Sequence, residues 1–282
     1  MFEIVAKKQL SNQIWQLDIH APLVAAKARP GQFVVVRAHD KGERIPLSIS
    51  DFDSQAGHIT LVVQAIGHST TDLVSLEVGE KAADLLGPLG TPAEIDNFGT
   101  VVCVAGGVAT AIIYPEARAF QQAGNKVITL LGARSADLFF YEDELRQCSD
   151  EVRYATEDGS RGKQGFVTEL LQELIDAGEQ IDRVVAIGPV PMMRAVCELT
   201  RPYQIKTVVS LNPIMVDGTG MCGACRVEVG GETRFCCTDG PEFDGHLVDF
   251  AALQNRSRQY QNLEEKIPHH HSNGGCAGQC QQ

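Results

Sequence analysis

Alternating apolar and polar positions dominate the first hundred residues. Residues 3–6, 14–19, 33–37 and 58–63 each read as a short strand, because side chains of an extended chain point to opposite faces with a period of two. Turn signals such as Arg29-Pro30-Gly31 and Gln55-Ala56-Gly57 separate them. Short strands spaced about 8–12 residues apart predict a small antiparallel barrel or sandwich. The helical pattern in this stretch is brief, residues 69–75 after Gly67.

Near Gly99 the pattern changes. Thr100-Val101-Val102-Cys103-Val104-Ala105 is an unbroken apolar run, as expected of a strand covered on both faces, and Gly106-Gly107 leads from it into a helical stretch ending at Ala123. Extended segments follow at residues 126–131, 152–156, 183–187 and 206–211, and helical ones at 137–146, 165–177 and 191–199. Strands alternating with helices predict a parallel sheet, whose ligands gather at the carboxyl ends of its strands. The fold class expected is therefore β plus α/β. The boundaries are a β-barrel over residues 1–98, an α/β unit over 99–212, a cysteine-bearing segment over 213–250 and a polar tail over 251–282.

Composition narrows the function. The chain has 282 residues, and 24 Lys and Arg against 36 Asp and Glu leave a net charge of −12. That balance argues against nucleic acid and anionic membranes as partners, since both reward positive charge. No apolar run reaches the roughly 18 residues of a membrane span. The opening Met1-Phe2-Glu3-Ile4 is acidic and carries no secretory signal, so a cytoplasmic location is expected. Nine cysteines then read as thiols or metal ligands before disulfides. Cys103, Cys148 and Cys197 stand singly in or beside apolar sequence, as small core residues do, whereas Cys222, Cys225, Cys236, Cys237, Cys276 and Cys280 crowd into the last quarter.

Asp217-Gly218-Thr219-Gly220-Met221-Cys222-Gly223-Ala224-Cys225 is the sharpest signal. A C-x₂-C pair in a glycine-rich loop can turn two thiolates toward one metal centre while backbone N–H groups approach the sulfurs. Either Cys236 or Cys237 supplies a third thiolate. Plant-type [2Fe–2S] sites run C-x₄-C-x₂-C…C, and here both spacings stand with Asp217 in the first position. Carboxylate is a harder ligand than thiolate and alters the reduction potential. Structural zinc and free thiols are the alternatives, though Cys₃Asp is unusual for zinc.

Arg44-Ile45-Pro46-Leu47-Ser48 sets a cation and a hydroxyl on one extended segment, and alternation puts residues 44, 46 and 48 on one face. A guanidinium suits a pyrophosphate and a hydroxyl can donate to a ring nitrogen, while a surface Arg beside a strand has the same pattern. Ala105-Gly106-Gly107-Val108-Ala109-Thr110 follows a strand and opens a helix, the context for dinucleotide phosphates.

These motifs carry a resemblance. Asp217 to Phe243, closing on Cys237-Thr238-Asp239-Gly240-Pro241-Glu242-Phe243, resembles the iron–sulfur segment of dihydroorotate dehydrogenase electron-transfer subunits. More closely, it resembles the small subunits of NADH-dependent ferredoxin:NADP oxidoreductases, the sulfide dehydrogenase β-type subunits. In the first group the leading ligand is a Cys; in the second it is an Asp. Residues 44–48 and Gly67-His68-Ser69-Thr70 resemble the two flavin motifs of the ferredoxin–NADP reductase superfamily, Gly87-Pro88-Leu89-Gly90 its linking loop, and Gly188-Pro189-Val190-Pro191-Met192-Met193 its nicotinamide turn. Thr156-Glu157-Asp158-Gly159-Ser160 is also similar. Ala109 departs from it, since relatives carry Gly there, as does Ile112. The likeness spans residues 1 to about 250.

It implies FAD held by Arg44, Pro46, Leu47, Ser48, Gly67, Ser69 and Thr70, and NAD(H) held by Gly106, Gly107, Asp158, Gly188, Pro189 and Met192. It further implies a [2Fe–2S] cluster on Asp217, Cys222, Cys225 and Cys237, with Cys236 a non-ligating neighbour. No catalytic acid–base group is called for. A hydride passes between nicotinamide and flavin N5, and single electrons pass through the cluster to a larger glutamate-synthase-small-subunit-like iron–sulfur flavoprotein, in an electron-bifurcating assembly. Arg134-Ser135 would suit NADP, but Asp137, Glu142 and Asp143 follow closely and favour NAD. The rival readings are a dihydroorotate dehydrogenase electron-transfer subunit and a non-catalytic flavin- and metal-binding redox sensor. In the tail, His269-His270-His271 with Cys276 and Cys280 are candidate ligands for a further metal, or part of a strap over the partner.

Overall fold

The computed structural model describes residues 2–260; His269 to His271, Cys276 and Cys280 lie outside them. The N-terminal half begins with β1 (Phe2–Ser11), β2 (Ile14–His20) and a single turn, α1 (Pro22–Ala25). β3 (Phe33–Arg37), β4 (Ile45–Asp53), β5 (His58–Gln64), α2 (His68–Ser75), β6 (Lys81–Ala82) and β7 (Asp84–Leu89) follow. Alternation holds: Ile14, Leu17 and Ile19 of β2 are buried while Trp15, Gln16 and Asp18 are half-buried. The strands form one antiparallel sheet in the order β6-β1-β2-β5-β4-β3-β7. Its two outer strands, β6 and β7, are separated in the chain by Ala83 alone, so the sheet curls until its edges nearly meet.

The second sheet is doubly covered and mainly parallel. β8 (Thr100–Gly106), α3 (Thr110–Gln122), β9 (Lys126–Ala133), α4 (Glu142–Gln147), β10 (Glu151–Thr156), β11 (Lys163–Gln164) and α5 (Val167–Asp176) build one side. β12 (Arg183–Ile187), α6 (Val190–Thr200) and β13 (Lys206–Ser210) build the other. Val101 to Ala105 are wholly buried, as a central parallel strand requires. After β13 come a hairpin, β14 (Arg226–Val229) and β15 (Glu232–Phe235), then α7 (Cys236–Asp239), β16 (Glu242–Asp244) and α8 (Phe250–Ser257).

Two expectations change. The helix expected over residues 137–146 is broken: a 3₁₀ turn at Ala136–Leu138 and α4 flank a non-helical stretch in which Tyr141 has φ +56°. The reason is the run Phe139-Phe140-Tyr141, buried throughout, with Phe139 in the core of the second sheet and the next two in a separate cluster with Ile14 and Val62 of the barrel. A regular helix cannot turn three successive side chains into two cores. The cysteine-bearing segment also joins the second sheet. β16 pairs antiparallel with β13, giving the order β11-β10-β9-β8-β12-β13-β16.

Barrel and sheet are tied by specific contacts. Arg118 of α3 donates to both carboxylate oxygens of Asp51 on β4, at 2.5 and 3.1 Å, and stacks on Tyr114. The Tyr141 hydroxyl donates to Gln16 at 2.9 Å. One hydrophobic core contains Phe33 and Val35 of the barrel, Val102, Val104 and Val184 of the sheet, and Cys225, Cys236 and Cys237.

Candidate cofactor and iron–sulfur sites

A cavity of about 960 Å³ opens where the barrel meets the carboxyl ends of β8, β9, β10 and β12. The barrel contributes Phe33, Pro46, Leu47, Ser48 and Gln64. Opposite stand Gly106, Gly107, Gly188, Pro189 and Met192, with Asn212 and Pro241 from the chain after β13. A cavity this large accommodates a ring system and a second stacked ring. Gly106 keeps the turn open to close approach, since a Cβ there would stand 2.7 Å from Met192 Sδ and 3.1 Å from Pro189 Cδ. A 3₁₀ turn at Gly107–Ala109 then delivers the chain into α3, with Thr110 Oγ1 donating to Gly107 O at 2.9 Å. The N–H groups at this helix start have the orientation that binds phosphate. Ala109 is buried, so the departure from Gly there is absorbed inside the turn.

Eight of the residues assigned to nucleotide and flavin from sequence line this cavity: Pro46, Leu47, Ser48, Gly106, Gly107, Gly188, Pro189 and Met192. Arg44, Gly67, Ser69, Thr70 and Asp158 do not. Arg44 precedes β4 and so escapes its alternation; its Nε and Nη2 donate to Asp84 Oδ2 at 3.1 and 2.5 Å. Ser69 Oγ donates to Glu43 at 2.6 Å, which brings the start of α2 beside Arg44 at the barrel rim. Thr70 Oγ1 closes the turn by accepting from Gly67 N–H and donating to Gly67 O, both at 3.0 Å. Asp158 serves its own loop: Oδ1 accepts from Ser160 N–H at 2.9 Å and Ser160 Oγ at 2.6 Å, and these donors lower its pKa. Its neighbour Glu157 faces the cavity instead.

The cysteine loop packs on the barrel wall. Gly218, at φ +76°, lies against β3 and β7, where a Cβ would meet Val35 Cγ2 at 2.8 Å and Leu89 Cδ1 at 3.0 Å. Thr91 N–H donates to Gly240 O at 2.6 Å and Leu211 N–H to Pro241 O at 2.9 Å, fixing the segment between barrel and sheet. Within the loop the ligand candidates fall into two pairs. Cys225 and Cys237 are buried with sulfurs 3.2 Å apart. Asp217 accepts from Thr219 N–H at 2.7 Å and Cys222 N–H at 2.9 Å, which places its carboxylate beside Cys222, and these donors lower its pKa. Among the described residues no three His, Cys, Asp or Glu side chains gather closely enough to hold one ion. A binuclear cluster makes a different demand, two protein ligands on each of two irons, and these two pairs would suit it.

Backbone donors support the same chemistry. Ala224 N–H points to Cys222 Sγ and Cys237 N–H to Cys225 Sγ, each at 3.5 Å. Burial pushes the Cys237 thiol up to about 12, with the facing Cys225 adding to it and a Gly220 N–H opposing it. Cys236 is fully buried in the core, and burial raises it too. Cys103, Cys148 and Cys197 are buried free thiols in the second sheet's layers.

Sequence reasoning missed Phe33, Asn212 and Glu157 in the cavity, and also Glu116, buried in α3 against Glu242 of β16. Strand-end position was a usable signal for Glu157; nothing local marked the others.

A nearly closed antiparallel barrel followed by a dinucleotide-type parallel sheet defines a class of modular reductases. Phthalate dioxygenase reductase shares the fold, with a TM-score of 0.58 at 18% identity over 81% of this chain and 85% of that one. Residues 103–198 match the oxidoreductase NAD-binding domain, and residues 212–249 the iron–sulfur cluster binding domain of dihydroorotate dehydrogenase B. The chain is 45% identical to the dihydroorotate dehydrogenase B (NAD(+)) electron transfer subunit homolog of Thermotoga maritima, over 93% of each chain. To the Enterococcus faecalis electron transfer subunit it is 34% identical, over 88% of this chain and 97% of that one. A solved structure of the NADH-dependent reduced ferredoxin-NADP oxidoreductase aligns with a TM-score of 0.89 at 44% identity, covering 94% of this chain and 95% of that one. The chain belongs to the family of dihydroorotate dehydrogenase B electron-transfer subunits and their homologues.

Proposed function

We propose that this chain is the flavin- and iron–sulfur-bearing electron-transfer subunit of an oxidoreductase, using FAD, a [2Fe–2S] cluster and NAD(H). When bound, these groups carry the redox chemistry: hydride exchange between nicotinamide and flavin, and single-electron exchange through the cluster. The protein's part is position and potential. Pro46, Leu47 and Ser48 offer a wall and a hydroxyl for the flavin ring, while Arg44, Gly67, Ser69 and Thr70 form the rim for its phosphates. Gly106 and Gly107 present backbone N–H groups to the nucleotide, and Gly188, Pro189 and Met192 bound the nicotinamide end. Asp217 with Cys222, and Cys225 with Cys237, would hold the cluster. The observation that carries this reading is the shared wall: β3 lines the cavity through Phe33 and supports the cysteine loop through Val35.

The unit boundaries that go with it are residues 1–98 for FAD, 99–212 for the nucleotide and 213–250 for the cluster. Relatives named as electron-transfer subunits imply a larger partner subunit. Asp217 in the leading ligand position favours a glutamate-synthase-small-subunit-like iron–sulfur flavoprotein, within a bifurcating NADH-dependent ferredoxin:NADP oxidoreductase, over a dihydroorotate-oxidising partner. Among the described residues no helix is long and apolar enough to cross a membrane, and we assign the complex to the cytoplasm. Anaerobic titration of the purified holoprotein with NADH tests the core of this reading. Bleaching of the flavin band is expected, and a flavin that stays oxidised overturns it.

A further inference from the structure

The turn between Cys222 and Cys225 is gripped from its carbonyl side by two guanidinium groups. Arg226, the first residue of β14, donates from Nη1 to Gly223 O at 3.1 Å. Arg256, in the last turn of α8, donates from Nη2 to Ala224 O at 3.0 Å. The peptide whose carbonyl Arg226 holds is the one whose N–H, on Ala224, points to Cys222 Sγ. Cation, peptide and sulfur form one polarised chain, in which each donor strengthens the next. Both arginines also line a second pocket, of about 270 Å³, whose wall includes Cys222 and Ala224. Acids near them in sequence are engaged elsewhere. Glu228 accepts from Thr233, Glu232 from Arg234, and Asp249 from Ala252 N–H.

α8 is anchored well enough to aim its side chain. Asp249 caps it, and Phe250 and Leu253 are buried in the core that contains Cys225, Cys236 and Cys237. Arg256 follows Leu253 by three residues, which puts the two on one helix face. It lies beyond residues 212–249, the span that matches the cluster-binding domain, in the stretch expected from sequence to be a polar tail. Arg256 is half-buried and Arg226 exposed, so solvent screens the first charge less. We propose that Arg226 and Arg256, with Arg256 foremost, set the reduction potential of the cluster held by this turn. They orient its N–H groups and fix positive charge where reduction adds negative charge. This inference rests on the functional reading above. Three thiolates and a carboxylate outweigh the charge of a diferric core, so the loaded site is anionic before an electron arrives. At an effective dielectric of about 20, a cation within about 10 Å favours the reduced state by on the order of tenfold.

The test compares Arg256→Gln and Arg256→Lys with wild type in the full-length holoprotein at equal iron content. Redox titration followed by electron paramagnetic resonance gives the cluster potential, and the flavin in the same samples is the internal reference. Gln keeps a donor for Ala224 O and removes the charge. The reduced-to-oxidised ratio of the cluster at a fixed potential is then expected to fall by on the order of tenfold, about 59 mV for a one-electron couple. Lys restores the charge and most of the ratio. Arg226→Gln lowers the ratio by less, and the double Gln variant by the product of the two effects. A double variant with full iron and the wild-type potential overturns the proposal. So does a Lys variant displaced as far as Gln, because contact geometry and not charge would then govern. Should Arg256→Gln fail to retain iron, Arg226→Gln takes its place, and an unchanged potential there overturns the proposal. A wild-type chain that gives no [2Fe–2S] signal overturns the functional reading instead, so the two failures are separable.

Discussion

Glu116→Met isolates the least comfortable side chain in the structure. Glu116 lies on the sheet-facing side of α3 at 0% exposure, with its carboxyl group against that of Glu242 on β16. Burial, reinforced by Glu242 on β16, holds its pKa well above the ordinary value of 4.5. Glu242 is raised for the same first reason, and the buried Cys103 of β8 also feels both acids. The folded-state pKa is the higher one, so the native chain binds one more proton than the unfolded chain between the two values. Stability from this proton is complete below the unfolded pKa and is lost as pH rises toward the folded one, by up to about 1.4 kcal/mol per pH unit. Methionine matches the length without charge and ends the repulsion between two buried acids, so the variant is expected to be more stable than wild type near neutral pH by about 1–3 kcal/mol. Denaturant unfolding of both proteins between about pH 5 and 8 provides the assay. Wild type should lose stability against the variant across that window. Parallel pH profiles, or a variant less stable at every pH, would refute the reasoning, because Glu116 would then be paired or hydrated in solution.

Two further predictions concern the cluster and the contact between barrel and sheet. Cys237→Ser is expected to abolish iron retention while Cys236→Ser keeps it, since the Cys237 sulfur and not Cys236 lies 3.2 Å from Cys225; iron analysis and the visible spectrum decide, and the reverse pattern exchanges the two assignments. Arg118→Met removes the two hydrogen bonds to Asp51 and should cost about 1–3 kcal/mol in unfolding experiments, with the apolar stem keeping its contact with Tyr114; an unaltered midpoint would show that solvent replaces the pair.

The pattern of residues carried the strand and helix content because periodicity is a property of near neighbours. β3 and β12 have the bounds read from sequence, and the Gly106-Gly107 and Gly188-Pro189 turns do line one cavity. Spacing likewise placed Asp217, Cys222 and Cys225 in one loop. Where local pattern failed, a distant partner was competing. The expected helix over residues 137–146 broke because Phe139 and Phe140 are claimed by different cores. Arg44 lies before β4 begins, and Asp84 of β7 holds its guanidinium.

By itself, then, the sequence determined the order of the parts, a β-barrel, a parallel sheet and a cysteine loop, together with the chemistry of their donors, since each is written within a few consecutive residues. Tertiary structure alone decided which of two adjacent acids lines the cavity, Glu157 rather than Asp158. It also decided that β16 closes the edge of the nucleotide sheet and that Glu116 is buried against Glu242. Each of these outcomes depends on elements that are far apart in the chain, and the direction of a side chain toward them has no signature among its own neighbours.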